Sequence, residues 1–402
     1  MYIYNYGGIV MSEKVRLGII GIGNQGGNYL KCFANGDFPE IEITCVADID
    51  PKRFENAREK IPNVVCFNTA EELINSGLCD AVVVATPHYF HPTYVIDCLK
   101  AGLHVLSEKP AGVYTKQVKE AIEFSKKSDK TYAMMFNQRT NPIFKKVREL
   151  VKSGKYGEIR RVSWIITDWY RTQAYYDSGA WRATWSGEGG GVMLNQCPHQ
   201  LDLWQWICGM PSKVHAFCHE GKWHNIEVED DVTIYVEYPN GATGTFITST
   251  GDYPGSNRLE ITLDKARIVC EWDAEKKEHT IKLCNIEKPL SEFTFGAEGG
   301  FQKPQIEWEH VPVEGENGQH VEVLNKFAAH ILRGEDLVAD GPEGINGLTI
   351  SNAAFLSSWT GETVEIPFDD ERYYELLMKK AENSKYKKTV REQVQEDMSG
   401  TF

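Results

Sequence analysis

Residues 15–26, VRLGIIGIGNQG, carry an apolar run into Gly21-Ile22-Gly23-Asn24-Gln25-Gly26 and on into a helical pattern. A strand that empties into three glycines at this spacing and opens a helix meets the requirement of a dinucleotide-binding turn. The first glycine permits the tight turn, the second lets backbone approach a pyrophosphate, and the third allows close helix–strand packing. The helix start supplies N–H donors and the positive dipole end. Taken alone, the motif also fits a glycine-rich turn without a ligand. The next apolar run, IEITCVADI, ends at Asp48, about 20 residues further on, where a ribose-binding acid is expected. A carboxylate there accepts from ribose hydroxyls and repels a 2′-phosphate, which favours NAD. Lys52 and Arg53 lie just beyond; Arg53 keeps NADP open, although solvated helix charges are the plainer reading of both.

The same rhythm continues to residue 136. Apolar runs such as DAVVVATP and HVLSEKP alternate with helical patterns such as HPTYVIDCLKAG and TKQVKEAIEFSKKSD. Strand–helix alternation of this kind predicts an α/β fold, a parallel sheet covered by helices on both faces. After Asn141 the pattern changes to longer runs with period-2 alternation, including DVTIYVEYPNGATGTFITST, whose YPNGATG is a hairpin signal. The second half therefore predicts a large open, mostly antiparallel sheet with a few helices. Residues 1–14 read as an N-terminal tail, 15–136 as a Rossmann NAD(P)-binding domain, and 137–402 as a second α/β domain.

The formal net charge of −14 argues against nucleic acid or an anionic membrane as the main partner. Ten cysteines occur singly, with no CxxC pair, so neither a zinc site nor a disulfide framework is signalled, and reduced thiols in the cytoplasm fit best. The start of the chain lacks a basic segment followed by an apolar one, and no apolar run reaches the length of a membrane span. His215, His219 and His224 have only Cys218 nearby, and no metal is expected.

Ligands of open α/β sheets sit outside the carboxyl ends of the strands. Ala85-Thr86-Pro87-His88 ends one such strand, so residues 86–91 should line the cofactor; for His91, at a helix start, capping or packing is an equal reading. Glu108-Lys109-Pro110 ends another strand at the same edge. A lysine there can reach a nicotinamide and a substrate hydroxyl and hold a developing alkoxide. The competing reading is a surface lysine paired with Glu108. A second cluster, GGGVMLNQCPHQLD, sets His199 at the start of an amphipathic helix with Asp202 on the same face. The helix dipole disfavours a cationic imidazole at that end, which suits a proton acceptor; a packed core histidine is the competing reading.

Taken together, GIIGIGNQG, VVVATPHYFH, GLHVLSEKPAG, NQRTNPIF and GGGVMLNQCPHQLD resemble the glucose–fructose oxidoreductase/inositol dehydrogenase (Gfo/Idh/MocA) family. Later pieces, VEDDVTIYVEYPNGATG and GINGLTISNAAFLSSW, resemble it too. The resemblance implies a Rossmann domain followed by a substrate-binding α/β domain whose sheet packs against a neighbouring subunit, giving a homo-oligomer, dimer or tetramer. It implies hydride transfer between a nicotinamide and a sugar or cyclitol carbon. Lys109 matches the family's EKP lysine and His199 its acid/base histidine. Where many members carry Asp four residues before that histidine, this chain has Asn195, which hydrogen-bonds but does not buffer a proton. Asp202 is the nearest substitute in sequence, with a structural role an equal reading of it.

Seven of the ten tryptophans fall between Trp164 and Trp223. Within TDWYRTQAYYDSGAWRATW, the residues Tyr170, Arg171, Tyr175, Tyr176, Trp181 and Arg182 interleave rings with polar tips. Aromatic faces suit the C–H faces of sugar rings, and the tips suit ring hydroxyls; an aromatic core or subunit contact is the alternative. The expected chemistry is oxidoreduction of a secondary hydroxyl on a sugar, glycoside or cyclitol, leading to a keto-sugar, with Lys109, Asn195 and His199 at the substrate. A redox-cycling NAD-dependent glycosidase is the alternative activity, and a non-enzymatic NAD(P)-dependent sugar sensor the weaker one.

Overall fold

The computed structural model describes residues 14–273 and 278–384, so the tail expected over residues 1–14 lies, apart from Lys14, outside the described residues. The first sheet has β1 (Val15–Ile20), β2 (Ile41–Ala47), β3 (Val65–Phe67), β4 (Ala81–Val84), β5 (His104–Ser107) and β6 (Tyr132–Met134), in the order β3-β2-β1-β4-β5-β6. Every neighbouring pair is parallel. Its helices are α1 (Asn24–Ala34), α2 (Arg53–Lys60), α3 (Ala70–Ile74), α4 (His91–Lys100) and α5 (Thr115–Ser125). All four residues of β4 are buried, as a strand covered on both faces requires. Thr69 caps α3 in a reciprocal box with Glu72. The strand order reverses between β1 and β4, and their carboxyl ends form the crevice where this architecture places a ligand.

The second sheet follows α6 (Pro142–Lys152). It contains β7 (Ile159–Ile166), then, after α7 (Gln173–Asp177) and α8 (Pro198–Cys208), β8 (Lys213–Glu220), β9 (Glu229–Glu237), β10 (Thr243–Ser249), β11 (Asn257–Leu263), β12 (Ala266–Asp273) and β13 (Glu278–Ile286). The remaining elements are α9 (Leu290–Gly296), β14 (Ile306–Val311), α10 (Gln319–Arg333), α11 (Gly344–Thr360), β15 (Val364–Glu365) and α12 (Asp370–Glu382). The nine-stranded order is β14-β13-β12-β11-β7-β10-β9-β8-β15. Only β7 and β10 run parallel to each other, and β9–β10 close the hairpin that YPNGATG predicted. α8 and α11 pack together on one face, with α11 against β8. The other face carries the half-exposed row Phe217, Ile247 and Ile165, aligned through Thr233 by the strand register. No helix among the described residues is long and apolar enough to cross a membrane.

Two features tie the halves together. Val323, Leu324, Phe327 and Ala328 of α10 are buried in one cluster with Leu17, Ile19 and Leu30 of the first sheet and α1. A helix from late in the chain thus forms one wall of the first core. The second tie is ionic. Arg139 follows β6 and donates from Nε and Nη2 to both carboxylate oxygens of Asp202 on α8, at 2.8 and 2.7 Å. A third nitrogen, Nη1, reaches Glu343 at 2.7 Å. The Arg139 and Asp202 side chains are 2% and 1% exposed, and Phe136 and Trp206 lie against the guanidinium.

Of the two readings of Asp202, this pairing matches the structural one: the carboxylate is engaged by Arg139 and Gln205 and not by His199. Burial pushes its pKa up while Arg139 opposes the shift. Removing one partner of a buried, hydrogen-bonded pair strands the other charge. Asp202→Ala is therefore expected to lower the unfolding free energy by about 3–5 kcal/mol in urea titration. A loss below about 1 kcal/mol, the scale of an exposed pair, would refute this role.

Candidate active site

β1 delivers the chain to Gly21, whose φ is +89°. A Cβ there would lie 2.6 Å from the Ala85 carbonyl oxygen, and one at Gly26 would lie 2.0 Å from the Gly21 oxygen. Only glycine lets the turn close and α1 begin. Above Gly23 the nearest atom to a Cβ position is Arg53 Nη1, at 3.1 Å. Asp48, at the end of β2, is 6% exposed. Its Oδ2 accepts from Ile22 N at 2.9 Å and Arg53 Nη1 at 3.0 Å, and its Oδ1 accepts from Asp50 N at 2.9 Å. Ile49 beside it is 92% exposed, an apolar surface next to the acid. At the end of β4 the Thr86 hydroxyl is buried with no hydrogen-bond partner. A glycine cradle with no room for a side chain, an acid at the second strand and an orphaned hydroxyl across the crevice together fit a dinucleotide. Asn24 and Gln25 form the first turn of α1 at that cradle, and Pro87 precedes a short turn over His88–Phe90.

The Glu108-Lys109-Pro110 segment lies at the same edge. Glu108 is buried and accepts from the Tyr29 hydroxyl of α1 and from Lys109 N at 3.2 Å. Burial raises its pKa. Lys109 does not form a surface pair with it. Its Nζ donates 2.9 Å across to the Asn195 carbonyl oxygen, in the loop before α8. Burial lowers the lysine pKa, while the charges of Glu108 and Glu188 push the other way.

His199, at the N-terminal turn of α8, is buried, and its pKa is held well below the ordinary 6.5 by burial first, then by Lys109 and His320. The two motifs separated by 90 positions in the chain therefore meet. Gly191, ahead of this loop, is held by a buried carboxylate: Glu229 accepts from Gly191 N at 2.8 Å and Met193 N at 2.9 Å, and burial raises its pKa to about 8.

The aromatic segment divides. The Tyr175 hydroxyl receives Arg182 Nη1 at 2.6 Å and Gln196 Nε2 at 3.0 Å, and donates to Asn195 Oδ1 at 3.4 Å. Arg182 lies 4.4 Å over the Tyr175 ring and 4.9 Å over Trp181. Arg171 lies 5.2 Å over the Tyr175 ring as well and donates to Tyr170 O at 2.9 Å. Tyr170 is half-exposed against Tyr253. Tyr176 departs from the expected lining role: it is 2% exposed, with its hydroxyl on Thr250 and its ring against His224.

Two histidines also sit differently from a simple cofactor lining. His91 places Nδ1 2.7 Å from Pro110 O and Nε2 2.7 Å from Thr86 O. Both ring nitrogens face backbone, so it fastens the Thr86 loop to the lysine loop, the packing alternative raised for it. His88 is buried, with Nδ1 3.3 Å from Glu188 O and its ring edge-on to Trp181. Burial drives its pKa well down.

Sequence reading missed Glu188, Glu229 and His320. Glu188 directly precedes three glycines, which was visible; that the structure buries it beside a lysine was not. His320 opens α10 and is brought near Lys109 only by the return of that helix, its pKa lowered to about 4 by burial and by that lysine.

Comparison with known proteins agrees with this fold. Residues 15–136 match the oxidoreductase family with an NAD-binding Rossmann fold, and residues 144–269 match the GFO/IDH/MocA C-terminal domain. The chain is 31% identical over 240 residues to inositol 2-dehydrogenase of Corynebacterium glutamicum, covering 58% of this chain and 66% of that protein. It is 24% identical to myo-inositol 2-dehydrogenase of Thermotoga maritima over 85% of this chain and 95% of that one. The fold matches the WlbA dehydrogenase of Bordetella pertussis, solved with NADH and UDP-GlcNAcA, with a TM-score of 0.74 at 23% identity over 90% of this chain and 100% of that one.

Proposed function

The chain belongs to the GFO/IDH/MocA oxidoreductase family, and from that premise we propose that it interconverts a secondary hydroxyl and a ketone on a ring carbon of a sugar, glycoside or cyclitol with NAD(H). The observation that carries this reading is the Lys109 contact to Asn195 O, four residues ahead of His199, beside the glycine cradle. Relatives named for inositol oxidation, and a fold neighbour solved with NADH and a nucleotide sugar, support the substrate class.

Bound at the cradle, the nicotinamide supplies a hydride acceptor or donor at C4. The turn at Gly21–Gly26, the carboxylate of Asp48 and the unpartnered Thr86 hydroxyl would hold the dinucleotide. The chain's own groups manage the proton. A neutral imidazole at His199 is fit to take the hydroxyl proton, because burial and Lys109 disfavour its charged form. The Lys109 ammonium holds the oxygen as negative charge grows on it. Tyr175, Arg182 and Trp181 would bound the ring, apolar face and polar tips together.

Lys109→Ala and His199→Ala are each expected to lower kcat by at least about 100-fold while NADH binding, read by fluorescence titration, persists. Retained turnover in either variant defeats the assignment. A panel of glucosides and inositols assayed by NADH absorbance tests the substrate class, and silence across all of them removes it.

The pH dependence has a defined sign. For oxidation the base must be unprotonated, so kcat/KM should hold until pH falls below the ordinary histidine value of 6.5. It should decline on the alkaline side before the ordinary lysine value of 10.5, because burial lowers Lys109. A profile that rises through 6.5 or higher would contradict the His199 assignment.

The same reading includes a homo-oligomer formed through the open face of the second sheet, supported by the exposure of Phe217 (57%) and Tyr235 (41%) there. Phe217→Asp combined with Tyr235→Asp should reduce the mass found by light scattering to that of one chain. An unchanged mass assigns the contact elsewhere.

A further inference from the structure

Asn195 is bonded on both sides. Its backbone oxygen takes the Lys109 ammonium, and its side-chain amide donates to Glu188 Oε1. Glu188 is 1% exposed. Its second oxygen accepts from Ala183 N at 2.5 Å, and Arg182 Nη1 lies 3.9 Å from the first. A carboxylate so deeply buried is costly unless positive charge and N–H donors surround it. Here the donors are an amide and a backbone N–H, and the cations are Lys109 and Arg182.

Two carboxylates act on the Lys109 charge, Glu108 and Glu188. Glu108 is already bonded to the Tyr29 hydroxyl and to Lys109 N, and its own charge is disfavoured by burial. The titratable and charged groups facing the lysine from other elements are His199 of α8, His320 of α10, His88 and His91 after β4, Arg182 of the aromatic segment, and Cys197. Burial lowers the pKa of each histidine, and the side-chain cations nearest the Glu188 carboxylate are Lys109 and Arg182.

We propose that Glu188 is a positioning residue for Lys109: its carboxylate anchors the Asn195 amide, thereby fixes the carbonyl that takes the ammonium, and supplies the buried counter-charge for it. This rests on the reading of Lys109 as the group that holds the reacting oxygen. Charge and position arrive through one side chain, one hydrogen bond away from the lysine's own acceptor.

The Glu188–Asn195 bond permits a swap. Glu188→Gln removes the charge but sets an amide against an amide. Glu188→Gln with Asn195→Asp inverts donor and acceptor, keeps the hydrogen bond and returns the charge to the pair. The readout is the titration of Lys109 in the cofactor-free protein, followed by competitive acetic anhydride labelling across pH with mass spectrometry. In Glu188→Gln the Lys109 pKa should fall by about one unit or more, the scale of losing a nearby opposite charge. In the double variant it should return to the wild-type value.

Coincident titrations of Glu188→Gln and wild type would overturn the proposal. So would a fall that the double variant fails to reverse, since Glu188 would then act through the fold and not through charge. If circular dichroism shows the single variant unfolded, the double variant decides alone: a wild-type titration supports the proposal and a lowered one overturns it. In turnover, the single variant should lose at least about tenfold in kcat, with its alkaline limb moved to lower pH, and the double should regain both. Should the wild type turn over no sugar or cyclitol, the proposed function fails while the labelling still judges Glu188.

Discussion

The ammonium of Lys109 on the carbonyl of Asn195 is the contact on which the site depends. It joins the carboxyl edge of a parallel sheet to a loop that leads into α8, and it does so in a part-buried position. A charge in that position needs surrounding dipoles and counter-charges or it loses its proton. The neighbouring architecture supplies them: Glu229 holds the glycine loop by its N–H groups, Glu188 holds the Asn195 amide, and Arg139 clamps α8 through Asp202. Three buried carboxylates thus set the pose of a segment that carries a single imidazole.

The two sheets divide the labour in a way their strand patterns explain. The parallel sheet is buried on both faces, and its working groups are at strand ends, where backbone and short side chains meet the crevice. The antiparallel sheet is covered on one face only, by α8 and α11. Its covered side orients the histidine helix, and its other side carries the half-exposed row of Phe217, Ile247 and Ile165. The proposed hydride chemistry needs a cofactor edge and a substrate wall on opposite sides of one crevice, and in that proposal α8 would provide the second.

Much of this was legible in the chain. Glycine spacing with Asp48 disclosed the cradle, since those residue types act through local backbone geometry. Lys109 and His199 were visible for the same reason, each at the end or start of an element whose pattern is strong. Three things were not visible. Asp202 stayed open between assisting His199 and a structural role because helix periodicity says nothing about a guanidinium arriving from residue 139. Tyr176 looked like its neighbour Tyr175, yet a single step along α7 turns one ring to the polar cluster and the other into the core. Glu188 and His320 depend on long-range convergence, which local spacing does not encode.

The wall that α10 builds for the first sheet has a consequence for how the protein comes into being. Leu17, Ile19 and Leu30 meet Val323, Leu324 and Phe327 only after the ribosome has released most of the chain. Until then the nascent nucleotide-binding half keeps an apolar flank open to solvent, and its final compaction is deferred to the end of translation. A gene cut after codon 136 would therefore encode a half with a permanently wet apolar flank, even though the sequence rhythm changes at that seam.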